Sequence, residues 1–387
     1  MELTKCKLGE LITQRREKND GSDLPICGVS KDGLIPPKQK DADTSIYNVF
    51  YRDDFIFNPA RMELNSIAIN DMYDRAICSS LYEVFYVHRT DLLLPHYLKL
   101  IIRQKWFTRY CEFLGQGSAR EYCRFGNISE IEIEFPPIEE QQKIVDYNTA
   151  IENRIALKQK INDNLFATAN AFFTEKFSHF LHEDMRNMPN YVQLKNFVKI
   201  KHGYAFDGEQ FSETKTSKIL VSPGNFKIGG GFQNNKPKFY NEKAEYKTDY
   251  ILEPGSLVVT MTDLSKNGDT LGFPAIIPND KQITFLHNQR VGLVELVNNI
   301  YPKAFIYFLM CSNDYRNYIL ATASGTTVRH TSPDKILGYG FLAPDNKSDL
   351  MLLNRLYEVY LSDCDTLNIE IQRLTELQAT LLSKMVY

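Results

Sequence analysis

The chain has 387 residues, 43% of them hydrophobic and 24% charged, with a net charge of −3, which is the profile of a globular protein with two or three cores. No apolar run approaches the ~20 residues of a membrane span and no signal-peptide core follows Met1, so a cytoplasmic protein without membrane contact is expected. Seven scattered cysteines form no CxxC, which argues for reduced thiols and against structural zinc.

Residues 1–137 read as one mixed α and β unit. Leu8 to Arg16 is short and amphipathic. Val49–Asn58 and Leu81–Val87 are rich in β-branched and aromatic residues and predict strands. Pro95–Tyr110 opens on proline and carries Tyr97, Leu98, Ile101, Ile102 and Trp106 at helical spacing. A polar, glycine-containing turn follows at 115–120, and Ile128–Phe135 alternates like a half-buried strand. From Lys99 to Arg124 six basic residues face two acidic ones. Such a segment in a near-neutral chain is compatible with a local phosphate-binding surface, or with a solvated face.

Residues 138–182 predict one long helix. Pro136 and Pro137 end what precedes it, Glu139 and Glu140 suit a helix N-terminus, and no Pro or Gly follows until Pro189. Ile144, Ile151, Leu165 and Phe172 share a seven-residue spacing that Lys158 interrupts, with Ile155 and Ala169 at the four-residue offset of a coiled-coil seam. About 40 residues at ~1.5 Å rise give a rod of roughly 60 Å. Residues 190–345 form a second unit with strands at Ile219–Val221 and Ser256–Thr262, a Gly229–Gly231 loop and a helix at Tyr301–Cys311. Between Lys195 and Lys247 ten lysines face five acidic residues. Residues 346–387 predict a second long helix with a heptad of Leu353, Tyr360, Leu367, Leu374 and Leu381. With no core-sized domain left for it to cover, pairing with the first rod is the expected burial.

The chain repeats itself. Gly117 precedes Pro136, and Gly325 precedes Pro344, by the same interval. Each interval follows a proline-led helix and a tyrosine (Tyr110, Tyr318), contains a small-polar turn and a strand, and leads into a long helix. Two variable modules on one constant scaffold imply reading two different things at a set separation.

This layout resembles the specificity subunit of type I restriction–modification systems. The most specific phrase is FPPIEEQQKIVDYNTAIENRI at 135–155, with HGYAFDGEQF (202–211), LEPGSLVVTMT (252–262), LHNQRVGLVEL (286–296) and SGTTVRHTSPDKI (324–336) in the second unit, and LGELITQRREKN (8–19) in the first. The resemblance covers essentially the whole chain, but the second exit lacks the Glu-Gln-Gln opening, which puts in doubt whether a partner is met there in the same way. It implies an α+β fold: two target-recognition domains in tandem, each followed by a long helix, the two helices pairing as an antiparallel coiled coil. It further implies a non-catalytic reader of double-stranded DNA, with one half of a split target per domain, held with two methyltransferase subunits and joined by restriction/translocase subunits, and with no cofactor of its own.

For DNA contact the equivalent turns are the first candidates: Gln116, Ser118 and Arg120 in the first unit, Thr326, Thr327 and Arg329 in the second. Small residues admit the DNA backbone, amides and hydroxyls bond phosphate or base edges, and arginine grips guanine. The alternative is a tight turn whose arginine pairs with a surface carboxylate. Arg61, Lys201, Tyr204, Asn288, Gln289 and Arg290 complete the set. Two other functions compete. One is a coiled-coil adaptor that binds no DNA. The other is a degenerate adenine methyltransferase using Asn58, whose Asn58-Pro59 lacks the second proline and the aromatic of the base-holding motif. The seven histidines form no HxxxH or HExxH, and no metal site is expected.

Overall fold

The computed structural model describes residues 3–31, 33–37, 43–115, 122–181 and 185–384. They form two compact units, Met1–Leu157 with Ile371–Tyr387, and Lys158–Glu370.

In the first unit a 3₁₀ turn, Leu8–Glu10, buries Leu8 and leads into the strand Ile12–Arg15. The amphipathic stretch 8–16 is thus a turn and a strand. Val49–Asn58 divides into the strands Asn48–Tyr51 and Phe55–Phe57, because Asp53 turns the chain at φ 65°. One antiparallel sheet runs in the order Ile12–Arg15, Glu83–Val87, Phe55–Phe57, Ile67–Ile69. A second runs Gly33–Ile35, Ile26–Ser30, Arg75–Cys78, Asn48–Tyr51, and its middle pair is parallel with Ile26 opposite Ile77. Three helices follow: α1 (Pro95–Ile102), α2 (Lys105–Gly115) and α3 (Phe125–Ser129). Thr4–Lys7 then pairs antiparallel with Glu132–Phe135, joining the start of the unit to its exit. From that exit runs α4 (Ile138–Phe177), a single helix of 40 residues.

The second unit repeats this plan. Its first sheet runs Val198–His202, Val291–Leu296, Leu257–Thr260, Pro274–Ile276. Its second sheet again has one parallel pair, Lys218–Val221 beside Thr284–His287, and adds an edge strand, Phe211–Ser212. The helices α5 (Lys303–Cys311), α6 (Asn313–Thr322) and α7 (Pro333–Leu337) follow. Tyr191–Gln193 closes on Gly340–Leu342 before α8 (Lys347–Lys384) begins.

The long helices pair antiparallel. In the second unit Lys158 forms an ion pair with Glu370, Asn162 faces Asn368 at 3.4 Å, and Phe166 packs on Tyr360 with ring centroids 5.8 Å apart. In the first unit Gln378 Nε2 donates to Asn148 Oδ1 at 3.0 Å. Along α4, Ile151 and Ala169 are buried, and Ile144, Ile155, Leu165 and Phe172 are half-buried, as their spacing predicts. Lys158 does interrupt the apolar seam, and Glu370 answers it.

The seam of α8 departs from its heptad at the end. Leu381 is 37% exposed, while Leu382 packs into the first unit's core and its carbonyl accepts from Gln104 Nε2 at 3.0 Å. The four-residue steps Leu374, Gln378, Leu382 follow the 3.6-residue period of a helix rather than a strict heptad. Nor does α8 pair with α4 alone. Leu350, Leu353, Tyr357 and Tyr360 are buried in the second unit's core, where Phe308 of α5 packs on Tyr357.

Phe173 ties α4 to that core, its ring 5.7 Å from Phe305 and 6.0 Å from Phe308. Phe173→Ala is therefore expected to destabilise the second unit by about 3–5 kcal/mol, read as a lower urea midpoint. A loss under about 1 kcal/mol would show that this contact is not what joins helix to core.

Candidate nucleic-acid interface

In the second unit the strand Val198–His202 ends at Gly203, where a Cβ would lie 2.1 Å from the Asn288 carbonyl oxygen. Only glycine permits that approach. Tyr204 N–H donates to His287 O at 2.8 Å and Gln289 N–H to Tyr204 O at 2.9 Å, so Lys201, Tyr204 and Asn288–Arg290 share one edge. Asn288 is partly spent on the turn itself, its Oδ1 accepting from Arg290 N at 2.9 Å. Gln289 and Arg290 are exposed. Tyr204 packs 5.2 Å from Tyr250, and Lys247 Nζ sits 5.5 Å over the Tyr204 ring. Lys201 is anchored in its own domain, donating to Asp249 O at 3.0 Å.

The 324–331 loop joins this edge through one backbone relay. Met261 N–H donates to Arg290 O at 2.9 Å, and Thr331 N–H donates to Met261 O at 3.0 Å. Gly325 turns the loop at φ 88°, leaving Thr326 and Thr327 exposed. Arg329 is half-buried and donates through Nε to the Lys266 carbonyl at 3.4 Å, a backbone partner and not a carboxylate.

The first unit carries a cleft of about 1530 Å³ at the corresponding place, lined among others by Arg16, Lys18, Asn58, Arg61, Leu81 and Arg124. Only the second bond of the relay recurs there, with Cys123 N–H donating to Pro59 O at 3.0 Å, since a proline has no N–H for the first. Arg61 is exposed in this cleft. Arg15 is not free to read DNA, because Asp54 takes its Nε at 2.6 Å and its Nη2 at 3.1 Å. Gln116, Ser118 and Arg120 lie outside the described residues.

A family model described as the type I restriction modification DNA specificity domain matches residues 6–166. Residues 6–166 thus carry the likeness to that family. Over 92 residues it is 28% identical to the HindI type I restriction enzyme specificity subunit of Haemophilus influenzae. That match covers 23% of this chain and 20% of the relative, so the chain aligns with about a fifth of the relative's length. The crystal structure of the S subunit of a type I restriction–modification system from M. genitalium superposes with a TM-score of 0.59 at 15% identity, over 100% of this chain and 96% of that one. At that identity the likeness carries the fold.

Two residues singled out by sequence acquire structural explanations. Asn58 Oδ1 accepts from Ala60 N at 3.1 Å, so the side chain caps the 3₁₀ segment Pro59–Leu64. Gln141, of the Glu-Gln-Gln phrase, is fully buried: its Oε1 accepts from Leu94 N, and its Nε2 donates to Leu92 O and Pro136 O. Its contacts are thus internal to the domain exit. At the second exit Leu350, early in α8, is buried by packing.

Arg16, Lys18 and Arg124 line the first unit's cleft and were not among the sequence candidates, although Arg124 is paired with Glu83 at 3.1 Å and Lys18 donates to Asn48 Oδ1 at 2.7 Å. The signal was present at the domain entries, where Leu8 and Leu194 both open buried 3₁₀ turns and thereby match Arg15 and Arg16 to Lys201 and His202. Among the described residues no cluster of three or more His, Cys, Asp or Glu could hold a metal, and no helix is long and apolar enough to cross a membrane.

His287 is buried under the 288–290 turn, its Nε2–H donating to Val291 O at 2.9 Å, and burial holds its pKa down from 6.5 to about 4. The unfolded chain therefore binds a proton between those values that the folded chain refuses. The contribution is complete above pH 6.5 and is lost as pH falls toward 4. Its size is about 3 kcal/mol. Urea titrations of the second unit from pH 7 to 4 should show this slope, and His287→Gln should flatten it. An equal slope in both proteins would mean that other groups carry the acid sensitivity.

Proposed function

We propose that the chain is the DNA-reading subunit of a type I restriction–modification complex, with one repeat on each half of a split duplex target. The observation that carries this reading is the recurrence of one sheet order in both units, with cations and amides at the same edge each time. Arginine and amide side chains at such an edge suit base-edge recognition, and exposed cations suit phosphate. In this reading residues 1–137 and 190–345 are the recognition modules. Residues 138–182 and 346–387 are the scaffold that fixes the gap between half-sites and carries two methyltransferase subunits and the restriction/translocase subunits. The subunit works without catalysing a reaction, in the cytoplasm where its DNA lies.

Support for the scaffold role comes from the polar pairs of the seam. Lys158–Glu370, Asn162–Asn368 and Asn148–Gln378 each have one partner on α4 and one on α8. A polar pair at a seam position penalises any shifted register, because a slip leaves each group without its partner.

The test is an exchange. Residues 191–342 are replaced by the corresponding segment of another family member, and the methylated motif of cells carrying the chimera is read genome-wide. One half of the motif should change while the other half is kept. A change in both halves, or in neither, contradicts the reading.

A further inference from the structure

The two repeats each place an exposed leucine on the same connection. Between the strands Phe55–Phe57 and Ile67–Ile69 lies Leu64, 59% exposed; between Leu257–Thr260 and Pro274–Ile276 lies Leu264, 65% exposed. These strand pairs hold the same positions in their sheets, yet the two connections differ in length and sequence. Single exposed leucines are ordinary on protein surfaces. These two share the connection between the same pair of sheet strands, Leu64 near its end and Leu264 near its start. Leu81, exposed as well, does not recur. Counting from the parallel pairs Cys27–Cys78 and Val221–His287, its counterpart is Arg290.

Both loops are held so that the leucine cannot fold back onto the core. Next to Leu264, the Asp263 carboxylate accepts from Ser265 N at 2.6 Å, from Thr270 Oγ1 at 2.6 Å and from Thr270 N. Burial pushes that carboxyl up, but these hydrogen bonds outweigh it and hold it below the usual carboxylate range, so the loop stays closed at neutral pH. Arg316 donates to the carbonyls of Gly268 and Leu271 from the other side. On the first loop, Asn58 caps the segment, and Asn65, left-handed at φ 52°, donates through Nδ2 to Ile102 O at 3.0 Å.

Each leucine stands among cations. Lys266, two residues beyond Leu264, is exposed, and its carbonyl accepts from Arg329. Leu64 lines the same cleft as Arg16, Lys18 and Arg61. Cations draw in phosphates, for which an apolar side chain has no use. The apolar surfaces that a duplex offers are the thymine methyls of the major groove and the faces of its bases, and a tip on a pinned loop suits the latter.

We propose that Leu64 and Leu264 are wedges, each pressing between the bases of one step in its repeat's half-site; this rests on the reading that the chain binds duplex DNA. A stiff apolar tip that partly unstacks one step selects for steps that open cheaply, above all pyrimidine–purine steps. Each half-site would then be read at one step through deformability, without a hydrogen bond to either base.

The experiment uses the full chain and duplexes enriched by it from a random pool, with 2-aminopurine placed at each position of the recovered motif in turn. The wild-type protein should raise emission at one step in each half. Leu64→Ala should abolish the rise in one half only and Leu264→Ala in the other. Each variant should lose about tenfold in affinity with the salt dependence unchanged. Leu→Met at either site should keep the signal, and unchanged thermal midpoints should show that all variants are folded. Emission and affinity that match wild type in both alanine variants overturn the wedge while leaving DNA reading intact. A wild-type protein that enriches no sequence from the pool overturns DNA reading, and the wedge with it.

Discussion

Two short antiparallel pairings carry the architecture: Thr4–Lys7 on Glu132–Phe135, and Tyr191–Gln193 on Gly340–Leu342. Each brings the entry of a unit back to its exit, so the chain leaves every unit beside where it came in and passes directly into a long helix. The geometry at the clasp leaves little slack. A Cβ on Gly340 would lie 1.7 Å from the Tyr191 hydroxyl. Everything between entry and exit can then vary in length and surface without moving the helix, which is what the proposed scaffold for interchangeable readers requires.

The helices are fastened to the units by different chemistry at the two exits. Gln141 binds three backbone groups from inside the first exit, whereas Leu350 occupies the second exit by packing alone. A fully satisfied buried amide and a buried leucine can each fasten a helix to its unit without leaving a polar group unpaired.

Much of the architecture was legible because the repeat is exact at the exits, where Pro136 and Pro344 are 208 residues apart. The entries, Leu8 and Leu194, are only 186 apart, since the second unit is longer in its variable part, and a search at a single offset cannot see both ends. The lost boundaries have local causes. Ile128 lies in α3 and Ile131 beyond it, so the alternation that marks a strand starts only with Glu132–Phe135. The predicted helix from Pro95 breaks at Gln104, whose N–H bonds Ile101 O and whose side chain reaches Leu382 O. Leu381 was misplaced because a heptad count and a helical period drift apart over the four heptads from Leu353, and only the core under Leu382 decides between them. For the site, Tyr204 and Asn288–Arg290 were found as separate phrases; that they meet depends on Gly203, whose role is invisible without its neighbour Asn288.

The central claim is that each repeat reads its own half of one target. Arg61 lies in the cleft of the first unit and Arg290 on the edge of the second, both exposed. The most direct measurement is the motif enriched from a random duplex pool by Arg61→Ala and by Arg290→Ala, compared with wild type. The account predicts that each variant relaxes bases in one half, that the two halves differ, and that the gap between them keeps its length. Relaxation of the same half by both variants, or of both halves by either one, would contradict it.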